Sequence, residues 1–291
     1  MIIDLKYHIA SLVAVFLALG IGIFIGTTMI GSDVILKQQE RLVMSLQEKF
    51  DSLREENQKA AETIAELEAE RALQEEFNRL VFPVLVQGKL QGRNIAIINT
   101  YCKEEHDFLV NVLRMAGANV QSLTGVNLSL LEKPELHQEI TQLLGLEGES
   151  EQNSVLQTFA RRLSLALISG RDQEFVGFLE EKGILKISGS YGLPVEDVVI
   201  IGGRVNKDDV SIKFFDLVLA KTLKSNGIKV YGVEDTKVPV SCMRYYQSAQ
   251  IPTVDNIDTI YGQFALIRAL EGFPGNYGVK DTADSFLPPL S

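Results

Sequence analysis

Apolar residues follow three different patterns along this chain. Residues 8–31 contain no Asp, Glu, Lys or Arg, and from about residue 34 to 80 apolar residues recur at heptad spacing without any Pro or Gly. Beyond residue 83, short apolar runs alternate with amphipathic stretches. The patterns predict an N-terminal transmembrane helix, a long coiled-coil helix and a Rossmann-like layered α/β domain with a mainly parallel sheet. The predicted boundaries are 1–32 for the N-terminal tail and membrane helix, 33–82 for the coiled coil, 83–273 for the α/β domain and 274–291 for an irregular C-terminal tail.

The first run is long enough to cross a bilayer, since about 20 apolar helical residues span a hydrocarbon core of ~30 Å. A cleaved signal peptide is the alternative. A signal peptide usually has a basic N-terminal region and a shorter apolar core. Here the charge of Lys6 is offset by that of Asp4, and the apolar run is long. An uncleaved single-pass anchor is therefore favoured. Lys6 and the α-amine favour a cytoplasmic N-terminus, and we then expect the chain beyond residue 32 to lie outside the cytoplasm.

Small residues recur every four positions within this run. On a helix they share one face, where they allow a second helix to approach closely in lipid. The alternative is that Ala and Gly are simply frequent in membrane helices. The stripe consists of Ala10, Ala14, Ala18, Gly22 and Gly26.

The second pattern forms a heptad seam. Asn57 occupies an a position, where a buried Asn fixes register and favours a parallel dimer. We therefore predict a parallel homodimer, and the alternative is one long helix packed on its own domain. The a positions are Val43, Phe50, Asn57 and Ile64, and the d positions are Leu46, Leu53, Ala60 and Leu67.

The third pattern predicts alternating strands and helices, with Pro83 ending the preceding helix. The run 197–201 is apolar on both faces, as in a central parallel strand. The other predicted strands are 94–99, 119–123, 185–187, 228–233 and 251–254, and the predicted helices are 104–116, 132–144, 155–168, 172–182, 209–225 and 259–270.

The α/β domain carries none of the motifs that would mark a nucleotide site or a hydrolase. No GxGxxG follows the first strand, and no GxxxxGK[ST], GxSxG or HExxH occurs. A net charge of −10 without a basic block excludes nucleic acid as a partner. We therefore predict a protein that is not an enzyme, with an unrecognised site near Asn99, Gly202 and Asp255 as the weaker alternative.

Two groups of residues are candidate ligands. Cys102 and His106 are four residues apart after the first strand, which suits a soft metal such as Cu(I), although an ordinary strand–helix turn is the alternative. Cys242 is the second cysteine, and one disulfide between the two remains open. The second group follows the strand at 251–254 and consists of Asp255, Asn256 and Asp258. It is either a ligand site or a turn held by hydrogen bonds of its Asp and Asn side chains, with Asp258 as the N-cap of the last helix.

Both ends of the chain carry motifs of a known family. The opening IDLKYHIASLVAVFLALGIGIFIGTT, the later IPTVDNIDTIYGQFALIRAL, GNYG at 275–278 and FLPP at 286–289 resemble the MctB family, named for a mycobacterial copper transport protein. The resemblance covers essentially the whole chain. It implies a membrane-associated envelope protein with a role in copper homeostasis or efflux, with copper as its ligand. The alternative is a dimeric, non-enzymatic envelope scaffold or recognition module without a metal role.

Overall fold

The computed structural model describes residues 5–101, 106–146 and 152–289, without the side chains of residues 30–33. The chain divides into two compact units, one ending at Glu75 and the other beginning at Glu76.

Helix α1 is the first element and runs over 82 residues, Leu5–Val86. In the described part of the chain it is the one helix that is long and apolar enough to cross a membrane, and its apolar segment is not buried against other parts of the protein. The prediction that Pro83 ends the helix was wrong, because α1 continues for almost one turn beyond it. Phe82 and Val86 are buried in the core of the second unit, so packing holds this last turn in place.

A seven-stranded sheet forms the centre of the second unit. Its spatial order is β3-β2-β1-β4-β5-β6-β7. All neighbouring strands are parallel except β2 and β3, which are antiparallel, so the prediction of a mainly parallel sheet is confirmed. The strands are β1 Asn94–Asn99, β2 Asn119–Val126, β3 Leu185–Gly189, β4 Asp197–Ile201, β5 Lys229–Val233, β6 Thr253–Val254 and β7 Asn276–Tyr277.

Helices cover both faces of the sheet. Most lie where the sequence predicts them, but the helix Met243–Ser248 and the strand Asn276–Tyr277 were not predicted. A 3₁₀ turn, Leu128–Glu132, precedes α3, and a π-helical turn, Ile212–Asp216, leads into α6. The helices are α2 Asp107–Met115, α3 Pro134–Leu143, α4 Gln152–Ser169, α5 Gln173–Glu181, α6 Leu217–Ser225, α7 Met243–Ser248 and α8 Ile260–Glu271.

Two apolar layers enclose the sheet, and the central strands contribute to both. In β4, Val198 and Ile200 face a layer that includes α4 and α6, whereas Val199 and Ile201 face a layer that includes α2, α8 and the end of α1. Successive side chains of a strand point to opposite faces, so a strand covered on both sides is apolar throughout. This explains the uninterrupted apolar run that marks β4 in the sequence.

Candidate functional site at the carboxyl edge of the sheet

Buried polar side chains collect where the parallel strands end. Asn99 ends β1, Arg204 follows β4, Asp235 follows β5 and Asp255 follows β6, and all four are buried. The carboxyl ends of parallel strands meet at one edge of the sheet, which is where open α/β sheets bind their ligands. This edge is therefore the candidate functional site.

His106 is held between the ends of β1 and β5. The side-chain oxygen of Asn99 accepts a hydrogen bond from the backbone N–H of Tyr101 (3.0 Å), so the amide nitrogen of Asn99 faces His106 Nδ1 at 3.1 Å. His106 Nδ1 is then the acceptor, and Nε2–H donates to the carboxylate of Asp235 at 3.1 Å. The two contacts fix the tautomer and the plane of the imidazole ring.

This arrangement bears on the predicted Cys102–His106 metal pair. Cys102 lies outside the described residues, so the structure gives no distance between the two side chains. Both ring nitrogens of His106 already have protein partners, and one contact would have to break before the ring could bind a metal. Within residues 5–101, 106–146 and 152–289, no group of three or more His, Cys, Asp or Glu side chains is placed to hold a metal ion.

The sequence interpretation missed the acidic pair that follows β5. Glu234 is fully buried and accepts hydrogen bonds from Ser241 Oγ (2.6 Å), the Cys242 backbone N–H (2.8 Å) and Lys280 Nζ (2.7 Å). The signal was present, because two carboxylates directly after an apolar strand are unusual unless they have partners. Ser241 and Cys242 belong to the loop that follows β5, whereas Lys280 comes from the C-terminal tail.

A second buried network surrounds Arg204 at the end of β4. Its guanidinium donates to Asp216 (2.6 Å) and to Ser211 Oγ (2.7 Å), and Asp216 also accepts from Tyr246 Oη (2.7 Å) and Thr100 Oγ1 (3.1 Å). Burial, together with the charge of Asp216, raises the pKa of Tyr246 well above its usual range. A buried ion pair is tolerated when the remaining polar atoms are satisfied, as they are here. The network joins the end of β4 to the start of α6.

Cys242 is a free, buried thiol within the same region. The backbone N–H of Gly203 donates to its Sγ at 3.0 Å. Burial, reinforced by the charge of Asp216, raises the pKa of Cys242 to about 12. The thiol is therefore protonated at neutral pH and shielded from solvent, which makes it a poor ligand for a soluble metal ion.

The polar turn after β6 contacts other backbone segments. Asp255 accepts hydrogen bonds from the backbone N–H groups of Val279 (2.7 Å) and Lys280 (3.0 Å) in the C-terminal tail. Asp258 accepts from the backbone N–H of Thr236 at 2.7 Å. Asp255 thus connects the turn to the C-terminal tail, and Asp258 connects it to the loop after β5.

The prediction that Asp258 caps the last helix was wrong. Thr259 is the N-cap of α8, and its Oγ1 accepts from the backbone N–H of Gly262 at 3.1 Å. The carbonyl oxygen of Asn256 accepts a hydrogen bond from the backbone N–H of Thr259 at 2.9 Å. The N-cap therefore lies one residue later in the chain than predicted. Asp258 is free to bond Thr236 because Thr259 takes the capping role.

All residues that are predicted to contact a second copy of the chain lie on α1. The apolar seam residues Val43, Leu46, Phe50, Leu53, Ile64 and Leu67 are 47–69% exposed in the single chain, and Asn57 and Ala60 are also exposed. In the predicted membrane segment, Ala10, Ala14 and Ala18 are exposed, and at Gly22 and Gly26 the position of a Cβ would be open space. Dimerisation through these residues stays a prediction.

Comparison with known proteins identifies the family. A search of curated proteins gives no match. The family model described as copper transport outer membrane protein, MctB, matches residues 2–288, nearly the whole chain, in agreement with the motifs at its two ends. The match supports the interpretation of this chain as a copper-transport protein of the cell envelope. The chain therefore belongs to the MctB family of copper transport outer membrane proteins.

Proposed function

We propose that this protein is a single-pass, membrane-anchored envelope protein that acts in copper homeostasis as a parallel homodimer. The observation that carries the proposal is helix α1, on which the apolar segment and the heptad seam follow one another without a break and are both exposed. Large exposed apolar surfaces on one chain mark contacts with lipid or with other chains. The α/β unit then serves as an extracytoplasmic recognition domain.

The anchoring and the orientation can be tested together. Intact mass of the protein extracted from membranes should include residues 1–32, and a shorter chain would mean a cleaved signal peptide. In a Cys102→Ser background, Ser52→Cys should react with a membrane-impermeant maleimide in intact cells. Leu5→Cys should react only after permeabilisation, and the reverse pattern would overturn the proposed topology.

The proposed copper role is one of binding and recognition, not of forming a pore. A single apolar helix cannot line a water-filled passage, so copper is the cargo that the outer domain binds or transfers. Cys102 is the proposed ligand, because a thiolate is the preferred donor for Cu(I), and His106 would join it by releasing Asn99 or Asp235.

Titration of the full-length protein with Cu(I) under reducing conditions, against a competing chelator, tests this role. We expect stoichiometric binding that is lost in Cys102→Ser and weakened in His106→Ala. Cys242→Ser is the matched control, because that thiol is buried and should not bind copper. Unchanged stoichiometry in Cys102→Ser would remove the proposed site.

The second candidate is a dimeric scaffold or recognition module without a metal role, and neither candidate is an enzyme. At the described sheet edge, Arg204 pairs with Asp216 and Lys280 with Glu234, and Asp255 accepts hydrogen bonds from two backbone N–H groups. In such pairs each charge is compensated by its partner. Absence of Cu(I) binding above that of an unrelated control protein would favour this second candidate.

A further inference from the structure

The order of the strands identifies a particular crevice at the carboxyl edge. From β1, the chain builds the sheet outward through β2 and β3 on one side and through β4 to β7 on the other. The connection that follows β1 leads to β2 on one side, and the connection that follows β4 leads to β5 on the other. A crevice therefore opens between the carboxyl ends of β1 and β4. In open α/β sheets this switch point is where ligands bind.

A cavity of about 460 Å³ lies at this point. Its walls come from the segments after β1 and β4, from the end of β2 with the 3₁₀ turn that follows it, and from the beginning of α4. The volume is within the range of about 300–1,000 Å³ that is typical of small-molecule sites. Topology and shape therefore point independently to the same place.

The described charged side chains around the cavity are paired with one another, except for Glu132. Arg204 is its one basic residue among those described, and Asp216 already neutralises it at 2.6 Å. Asp209 accepts the backbone N–H of Ser211 (2.8 Å) and lies 3.4 Å from Arg204 Nε, and Glu132 is exposed. Among the described residues, a phosphate or carboxylate ligand would meet no uncompensated cation, and a cationic ligand would meet only the exposed carboxylate of Glu132.

The uncharged part of the lining combines hydrogen-bonding groups with apolar walls. Ser129 Oγ donates to Asn127 Oδ1 at 2.7 Å, and Ser211 Oγ accepts from Arg204 Nε at 2.7 Å. The amide N–H groups of Asn127 and the remaining lone pairs of these side chains are left for a ligand, and Val205 and Val210 supply exposed apolar surface. A molecule with many hydroxyl groups and apolar C–H faces matches both. We propose that this cavity is a binding site for a neutral, hydroxyl-rich ligand with the chemistry of a sugar. The proposal is independent of copper binding and of dimerisation.

The test uses the full-length protein in lipid nanodiscs, because many detergents carry sugar headgroups. Saturation-transfer NMR would screen hexoses, pentoses, hexitols and disaccharides, with ATP and spermidine as charged comparison compounds. We expect saturable binding of at least one neutral compound. Val205→Trp should fill the cavity and weaken that binding about tenfold or more. Val279→Trp is the matched control, because Val279 is similarly exposed (56% against 47% for Val205) and lies outside the cavity.

Asn127→Ala provides a second variant that keeps the cavity open, with Asn226→Ala as its control. It should weaken the same binding while leaving thermal unfolding close to that of the wild type. Failure of every neutral compound to bind would overturn the proposal. Binding unaffected by Val205→Trp and by Asn127→Ala would overturn the location, and cavity-dependent binding of only ATP or only spermidine would overturn the ligand class.

Discussion

Replacement of Leu53 by Ala is expected to weaken the proposed homodimer strongly. Leu53 occupies a d position at the centre of the seam, and its side chain is 54% exposed in the single chain. In a parallel pair it would pack into a hole formed by four residues of the partner helix. Truncation to Ala removes most of that contact from both helices at once.

The magnitude follows from the surface that pairing can bury. Removal of a buried Leu side chain to Ala costs about 2–5 kcal/mol. We take the lower end, ~2 kcal/mol per chain, because nearly half of the side chain is already covered by its own helix. Two chains then lose ~4 kcal/mol, and since each 1.4 kcal/mol is about tenfold, the dimer dissociation constant should rise roughly a thousandfold.

The assay is Förster transfer between differently labelled full-length chains, titrated against lipid or detergent concentration. Leu73→Ala is the matched control, because Leu73 lies at a c position, away from the seam, and is 73% exposed. It should leave the dissociation constant unchanged. Equal effects of the two substitutions, or no effect of Leu53→Ala, would refute the proposed seam.

Further predictions concern register, packing and thiol reactivity. Asn57→Val should stabilise the coiled coil while producing a mixture of oligomers in cross-linking, and a clean dimer would count against Asn57 as the register device. Gly262→Ala should lower the free energy of unfolding by about 1–3 kcal/mol, since a Cβ there would overlap the carbonyl oxygen of Asn256. Gly177→Ala, in an open helical position, should raise it by about 0.5–1 kcal/mol, and denaturant titration that gave both variants the same sign would contradict this difference. Cys242, with its pKa raised to about 12 by burial, should resist iodoacetamide at neutral pH until the protein is denatured, and rapid labelling of the native protein would disprove its burial.

Local sequence predicts α1 well, because its signals are repeated many times along one element. An uncharged run marks the apolar segment, and the heptad positions mark the seam regardless of what surrounds them. The end of the helix was predicted less well. Pro83 is an unfavourable helical residue, but Phe82 and Val86 are buried in the core, and this tertiary packing outweighs the local preference.

The central strands were equally predictable, whereas the edge of the sheet was not. Strands β1 and β4 are apolar on both faces and stand out in the sequence. Strand β7 has only two residues, Asn276 and Tyr277, and exists because β6 offers backbone partners at Thr253 and Val254. So short a segment carries no periodicity from which a strand could be inferred.

The sequence by itself determined the order of uncharged apolar segment, heptad-patterned helix and α/β domain, and it showed that polar residues follow the strands. Only the tertiary structure decided which of those residues meet. His106 and Asp235 are 129 positions apart and come together because β1 and β5 flank β4. The switch-point cavity depends on the same strand order, which arises from long-range pairing and has no counterpart in any local stretch of sequence.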